Sequence, residues 1–212
     1  MIISPDAEAY STIYCSGLTP LINEVLEYTL ANHPHSHMVS GKEQGLLLQF
    51  LSRMIRPKRI LEIGTFTGFS GLCLAEGLVA DGELHTLELR EEDAATAQAY
   101  FNRSSHKDNI HLHIGNALEI IPTLNEKWDL VFIDADKPGY INYYDLVLPN
   151  LQSNGWILAD NVFFHGEVMK EPVAGKNAKA IAAFNEHVKN DETVEQMILT
   201  VRDGLMLIRK RM

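Results

Sequence analysis

Cysteine is nearly absent: Cys15 and Cys73 are the only two in 212 residues. They form neither a CxxC pair nor a framework, which excludes a disulfide-stapled fold, and both are expected to be inert thiols in a reducing compartment. No stretch approaches the roughly 20 apolar residues of a membrane span. The first ten residues carry Asp6 and Glu8 and lack a basic start followed by an apolar run, so no secretory leader is expected and the cytoplasm is the predicted location. Basic residues are outnumbered, with 18 Lys and Arg against 28 Asp and Glu. The net charge of −10 disfavours broad binding of nucleic acid, which works by neutralising phosphates, although it leaves room for a local basic patch. Repeats, low-complexity tracts and long linkers are missing too. The chain 1–212 is therefore expected to be one domain, with 1–56 a helical N-terminal extension and 57–212 an α/β core.

What the chain does contain is a regular alternation. Helices are predicted over 19–31 and over 41–55, the second from apolar positions 46, 47, 50, 51, 54 and 55 and ended by Pro57. Short apolar runs then follow at 59–64, 83–89, 109–115, 128–135 and 155–160, separated by helical patterns near 69–80, 91–103, 117–124 and 139–150. This rhythm predicts a doubly wound parallel sheet with helices on both faces. The end differs. A helix over 178–189 is followed by VEQMILTV and LMLIRK, separated only by Arg202, Asp203 and Gly204, which permits a hairpin and hence an antiparallel last strand.

In open α/β sheets ligands sit beyond the carboxyl ends of the strands. The first such end, LEIGTFTGFS at 61–70, carries Gly64 and Gly68, which would let backbone approach a ligand closely. Their spacing is GxxxG, whereas dinucleotide binders use GxGxxG. Glu88 ends the next strand, where a carboxylate can accept hydrogen bonds from both ribose hydroxyls. These features point to an adenosine-containing ligand without separating adenosylmethionine from NAD.

Two further strand ends concentrate oxygen ligands. VFIDADK supplies Asp134, Asp136 and Lys137, and ILADN supplies Asp160 and Asn161. If these strands are neighbours, Asp134, Asp160 and Asn161 meet at one point. With no His or Cys among them they suit a hard ion, Mg2+, Mn2+ or Ca2+, better than zinc; the alternative is that each Asp caps the segment after it. A phenolic hydroxyl, with a pKa of about 10 in water, is a poor nucleophile at neutral pH. A dication favours its oxyanion, and Lys137 beside the same charge would lose proton affinity and could serve as general base. HPHSH, with His33, His35 and His37, is expected to be a polar loop joining the two early helices, because its spacing gives poor convergence on a metal. Trp128 and Trp156, each opening a strand, are expected to be core or interface aromatics.

Taken in order, MVSGKEQGLLL, LEIGTFTGFS, LEL, GNAL, VFIDADK, ADNVFFHG and DGL resemble one family, the cation-dependent class I O-methyltransferases that include catechol and caffeoyl-CoA O-methyltransferases and many small bacterial members. The resemblance runs from about 38 to 209. It implies a seven-stranded, mostly parallel sheet with the last strand antiparallel, and S-adenosylmethionine as methyl donor. By resemblance, Met38 and Ser40 lie over the methionine part of the cofactor, and Glu62, Gly64, Thr65 and Ser70 surround its amino acid end. Glu88 takes the ribose, Asn116 and Ala117 approach the adenine, Asp134, Asp160 and Asn161 hold the divalent cation, and Lys137, with Asp134, performs the catalysis. Asp136 and His165 are placed on the substrate side. The sequence departs from the caffeoyl-CoA branch at His165, usually asparagine there, and at Phe164, where tryptophan is frequent, so the substrate does not transfer. The expected substrate is a small aromatic vicinal diol and the expected assembly a homodimer. The alternative is a tRNA whose wobble 5-hydroxyuridine is methylated. A dehydrogenase is disfavoured by the missing GxGxxG and by the Asp and Asn cluster.

Overall fold

The computed structural model describes residues 4–211. All the expected apolar runs become strands: β1 (Arg59–Ile63), β2 (Glu83–Glu88), β3 (Ile110–Ile114), β4 (Trp128–Ile133), β5 (Leu151–Asp160), β6 (Val194–Leu199) and β7 (Leu205–Lys210). They form one seven-stranded sheet in the order β3-β2-β1-β4-β5-β7-β6. The first five strands pair in parallel, and β7 runs antiparallel to both β5 and β6. From β1 the chain winds outward to β2 and β3, then returns to lay β4 and β5 on the other side. Side chains at the carboxyl ends of β1 and β4 therefore open into the crevice where the winding direction reverses.

The strands read as nearly continuous apolar runs because both faces of the sheet are covered. Leu61, Val131 and Ile157 point to one side, where they pack with Tyr144 of α7 (Tyr140–Val147) and Phe184 of α8 (Lys176–Lys189). Ile60, Leu130 and Leu158 point to the other, against Ile22 of α2 (Pro20–Asn32), Leu48 of α3 (Lys42–Ile55), Leu72 of α4 (Phe69–Ala75) and Phe101 of α5 (Glu91–Phe101). Trp128 lies fully in the first cluster, and Trp156 is partly buried against the second with Arg209 over its ring.

Several boundaries differ from expectation for identifiable reasons. A further helix, α1 (Pro5–Tyr14), precedes the expected ones; Tyr10, Ile13 and Tyr14 on it are exposed, so it carries no buried apolar stripe for periodicity to detect. The expected helix 69–80 stops at Ala75, and Gly77 follows so close to α3 that a Cβ there would meet a Ser52 backbone carbon at 2.2 Å. The pattern at 117–124 yields only α6 (Ala117–Ile120) before Pro122 converts it to a 3-10 turn. β5 begins at Leu151, four residues before the expected 155, because Leu151 pairs with Trp128 across a register shift.

Gly64 is required by the fold itself. Its φ is +102°, and a Cβ would lie 2.0 Å from the Asp134 carbonyl oxygen. The close approach anticipated for a ligand is thus first an approach of β1 to the end of β4. Gly64→Ala is expected to cost at least about 3 kcal/mol, since it combines left-handed strain with a backbone clash. Urea denaturation of the purified variant checks this, and a loss below about 1 kcal/mol would contradict it.

Candidate active site

A cavity of about 1370 Å³ lies at the carboxyl ends of β1, β2, β4 and β5. That is more than the roughly 300 to 1000 Å³ of a site for one drug-sized ligand, so a cofactor and a substrate fit together. Met38, Ser40, Gly64, Thr65, Ser70, Glu88, Asn116, Ala117, Asp134, Asp136, Lys137, Asp160, Asn161 and His165 all line it. Glu62 and Gly68, both singled out from sequence, are not in the wall.

Glu62 is completely buried beneath the glycine turn, where it accepts hydrogen bonds from Ser70 Oγ at 2.6 Å and Thr86 Oγ1 at 2.5 Å. Its effect on a ligand in the cavity therefore passes through Ser70, which does line it. Burial pushes the Glu62 carboxyl up to about 8, against the two hydroxyl bonds and with Asp134 and Glu88 adding to the rise. In the unfolded chain the same group ionises near 4.5. Between those values the unfolded chain has released a proton that the folded protein keeps, so this group's contribution to stability declines with rising pH and the full penalty applies above 8. Glu62→Gln is expected to flatten the fall in stability of the cofactor-free protein between about pH 6 and pH 9 by about 2 to 3 kcal/mol. Parallel denaturation profiles for the two proteins would show that the carboxylate is already ionised at neutral pH.

Glu88 sits at the tip of β2 with 7% exposure. Phe66 N–H donates to one of its oxygens at 2.7 Å, and the N–H groups of Leu89 and Arg90 donate to the other, each at 3.0 Å. A carboxylate has about four lone-pair positions, so roughly one remains for a ligand. The same bonds hold Phe66 at a φ of +50°. His33, taken from sequence as part of a polar loop, fixes this turn from the other side: its ring meets Phe66 edge-on at 4.5 Å, and its Nε2 bonds Asp93 at 2.8 Å. His37 lies in a short 3-10 segment, Ser36–Met38, that also reaches the cavity.

The carboxylate cluster converges as the strand pairing requires. Ile133 pairs with Ala159, so the next residues, Asp134 and Asp160, leave adjacent strand tips at the same level. The Lys137 ammonium lies among them, donating to Asp134 Oδ1 at 3.1 Å, Asn161 Oδ1 at 2.8 Å and the Tyr140 hydroxyl at 2.8 Å. Tyr140 in turn donates to the Asp160 carbonyl oxygen at 3.1 Å. Asp160 is 4% exposed; Gln44 Nε2 donates to its Oδ2 at 2.6 Å, and the Asn161 N–H to its Oδ1 at 2.8 Å. Burial and then the Asp134 charge push the Asp160 carboxyl up to about 7, although Lys137 and the two donors oppose this. Asn161 presents its amide from a left-handed backbone, φ +56°, a conformation asparagine tolerates better than most residues.

These residues fit a hard divalent cation. The donors are oxygens only, two of them already hold a positive charge, and the Asp134 charge still pushes the buried Asp160 carboxyl upward, a repulsion that one ammonium does not cancel. The sequence expectation for Lys137 concerns the cation-loaded site; without a cation its partners set its state. Burial alone would lower its proton affinity, but the Tyr140 oxygen, Asp134 and Asp160 outweigh it and shift it upward. With its hydrogen-bond partners Asp134, Asn161 and Tyr140 all engaged, Lys137 is an ammonium here.

The two residues expected on the substrate side differ in character. Asp136 uses one oxygen to accept from Tyr143 at 2.6 Å and the other from the Gly139 N–H at 3.1 Å, so it also shapes the turn after β4. His165 is 77% exposed at the cavity rim, with its N–H donating to Asp203 at 2.6 Å. Gln44, Tyr140, Arg202 and Asp203 received no role from sequence. Gln44 and Asp203 fall within the KEQGLLL and DGL motifs, and Tyr140 stands three residues after Lys137, one helical turn away; those were the available signals.

A doubly wound sheet closed by an antiparallel strand, with an acidic residue at the tip of β2 and a crevice at the reversal, is the architecture of the S-adenosylmethionine-dependent methyltransferase class. Residues 12–211 match the O-methyltransferase family model. A Dictyostelium discoideum protein named "Probable caffeoyl-CoA O-methyltransferase 2" is 31% identical over 208 residues, covering 95% of this chain and 90% of its own. A catechol O-methyltransferase of Niastella koreensis is 34% identical over 160 residues, 74% of this chain and 72% of its own. The SAH-bound Podospora anserina methyltransferase structure superposes with a TM-score of 0.89 at 30% identity, covering 99% of this chain and 97% of that one. The chain belongs to the O-methyltransferase family and is an S-adenosylmethionine-dependent enzyme.

Proposed function

We propose that the enzyme transfers the methyl group of S-adenosylmethionine to one hydroxyl of a catechol-like, vicinal dihydroxy aromatic small molecule. In this reading a divalent cation, Mg2+ or in its place Mn2+ or Ca2+, is held by Asp134, Asp160 and Asn161. The observation that carries it is that Asp134 and Asn161 both hold the Lys137 ammonium while the Asp160 carboxylate leaves the neighbouring strand tip at the same level, at the edge of a cavity large enough for donor and acceptor together. The names of the Niastella and Dictyostelium relatives point to the same acceptor chemistry.

When bound, the cation would supply Lewis acidity that favours the ionised form of an acceptor hydroxyl. The chain's own residues do the rest. Lys137, held by Tyr140, would act as the base once a positive charge at Asp134 and Asn161 has driven its own proton to solvent; the neutral amine then takes the acceptor hydroxyl's proton. Gln44 holds the Asp160 carboxylate in orientation. Glu88, Asn116 and Ala117 position the adenosine, while Met38, Ser40, Gly64, Thr65 and Ser70 position the methionine part, with Glu62 supporting Ser70 from below. Methyl transfer needs the acceptor oxygen in line with the breaking sulfur–carbon bond, and such positioning supplies much of the rate. Asp136 and His165 face the acceptor, His165 as a polar wall.

The extension and the α/β core act as one unit over 1–212, supported by the shared packing of Ile22 and Leu48 with Leu72 and Leu130. We further place the enzyme in the cytoplasm as a homodimer. The support is two unpaired cysteines, and exposed apolar side chains on α1 and on the edge strand β6, where Met197 is 55% exposed. Among the described residues no helix is long and apolar enough to cross a membrane.

The test is a methylation panel with mass detection, comparing catechol and caffeate with total tRNA. Methylated diols and unmodified tRNA are the expected result. Methylated tRNA with unreacted diols would move the assignment to the wobble uridine.

A further inference from the structure

A second group of metal-ligating side chains lies outside the cavity, on the β2 and β3 side of the sheet. Glu83 and His85 come from β2 and His111 from β3, brought together because His85 and His111 are register partners. One ligand atom from each of the three lies within 4.8 Å of the others. Glu83 Oε2 is 3.6 Å from His85 Nε2 and 3.8 Å from His111 Nε2. A tetrahedral zinc ion with bonds of about 2.0 to 2.1 Å needs its ligand atoms roughly 3.3 to 3.5 Å apart, so small side-chain shifts close the set.

Two independent features single out His85. Its Nε2 is buried and has no hydrogen-bond partner. Buried polar atoms without partners are uncommon, and a bound ion is one of the accepted reasons for them. Its other nitrogen, Nδ1, lies 3.0 Å from His113 Nε2, with the two rings stacked at 8°. When Nδ1 donates to His113, the proton is off Nε2, which leaves Nε2 as a ligand lone pair. A ring nitrogen fixed by an outer partner in this way is the usual arrangement around zinc-binding histidine. Trp128 packs against the His85 ring at 5.6 Å and limits its rotation.

We propose that Glu83, His85 and His111 form a zinc site, with His113 orienting His85 and water completing the shell on the open side. His85 is 12% exposed, whereas His111 and Glu83 are 41% and 36% exposed, so the ion has an entry path. Arg59 Nη2, 3.7 Å from Glu83 Oε2, is the competing partner; it retains Glu126 at 3.2 Å when Glu83 turns to the ion. The donor set is nitrogen-rich, in contrast to the all-oxygen cluster at the cavity, so the two sites sort different metals. Because β3 is the edge strand and pairs in the sheet with β2, an ion bridging the two clips that edge.

The test uses the full-length protein, stripped of metal and then held in excess Mg2+ so that the cavity cluster is saturated. Zn2+ is titrated in competition with a chromogenic chelator, on wild type, His111→Ala, Glu83→Gln and Asp160→Asn, each checked for folding by circular dichroism. One Zn2+ per chain is expected in wild type and in Asp160→Asn, with affinity at least about tenfold weaker in His111→Ala and Glu83→Gln. Substituting Co2+ should give the strong visible absorption of a tetrahedral nitrogen and oxygen site in wild type and not in His111→Ala. If His111→Ala misfolds, Glu83→Gln carries the comparison. Zinc binding that is absent in wild type, unchanged by both edge variants, or lost in Asp160→Asn would overturn the proposal.

Discussion

Removing divalent cations with EDTA is expected to lower methyl transfer at least about a thousandfold while changing S-adenosylmethionine affinity by less than about threefold. The asymmetry follows from where the groups lie. Glu88, Asn116 and Ser70 contact the cavity from β2, α6 and α4 and share no side-chain bond with Asp160. In the proposed reaction the acceptor hydroxyl would depend on the cation for ionisation at neutral pH, whereas the sulfonium donor needs no such help. Asp160→Asn should reproduce the chelator effect in the presence of Mg2+, because one carboxylate of the proposed pair is lost. The same change removes a carboxylate that burial pushes up to about 7, so the cation-free variant is expected to be at least as stable as wild type. Isothermal titration with S-adenosylmethionine, alongside single-turnover assays, checks both halves. Full turnover after exhaustive chelation would remove the cation from the reaction.

Lys137→Met is expected to lower the rate by about a hundredfold to ten-thousandfold, the range for loss of a positioned general base. Its effect on cation binding should run the other way. In the cation-free protein the ammonium occupies Asp134 Oδ1 and Asn161 Oδ1, so an incoming dication must displace it. Without the lysine, Mg2+ affinity is expected to rise, and added Mg2+ should raise the melting temperature of the variant more than that of wild type. Lys137→Arg should not restore the rate, since a guanidinium does not release its proton near neutral pH. A purely structural lysine predicts a different pattern, in which both affinity and rate fall in the methionine variant and arginine restores part of each.

Much of this site was legible because strand tips are local in sequence. A short apolar run ending in Asp or Glu, followed by a helical pattern, announced Glu88, Asp134 and Asp160, and parallel winding made their meeting a matter of strand order. Pairing of β4 with β5 then set Asp134 and Asp160 level. What sequence did not reveal depends on contacts between distant segments. Gln44 reaches Asp160 from a helix 116 positions away. Glu62 turns beneath the cavity wall toward Ser70 and Thr86, because alternate residues of β1 face opposite sides of the sheet. Gly64 serves the contact between β1 and the end of β4 before it serves any ligand. The protonation of Lys137 turns on the balance between burial and three oxygen partners, which motif spacing does not encode. The edge histidines escaped attention because only the β2 and β3 register brings them together, whereas HPHSH, the conspicuous histidine cluster, provides in His33 a brace for the Phe66 turn.

In the proposed reaction the oxygens of Asp134, Asp160 and Asn161 hold a cation that ionises the acceptor hydroxyl. A chromophoric diol such as 4-nitrocatechol changes its visible spectrum on ionisation and reports this without turnover. Bound to the enzyme with S-adenosylhomocysteine at a pH below its own ionisation, it should show the ionised spectrum with Mg2+ and the neutral one after chelation, and Asp160→Asn should stay neutral in both. A spectrum that does not respond to Mg2+, or responds equally in Asp160→Asn, would mean that these oxygens do not hold an ionising cation.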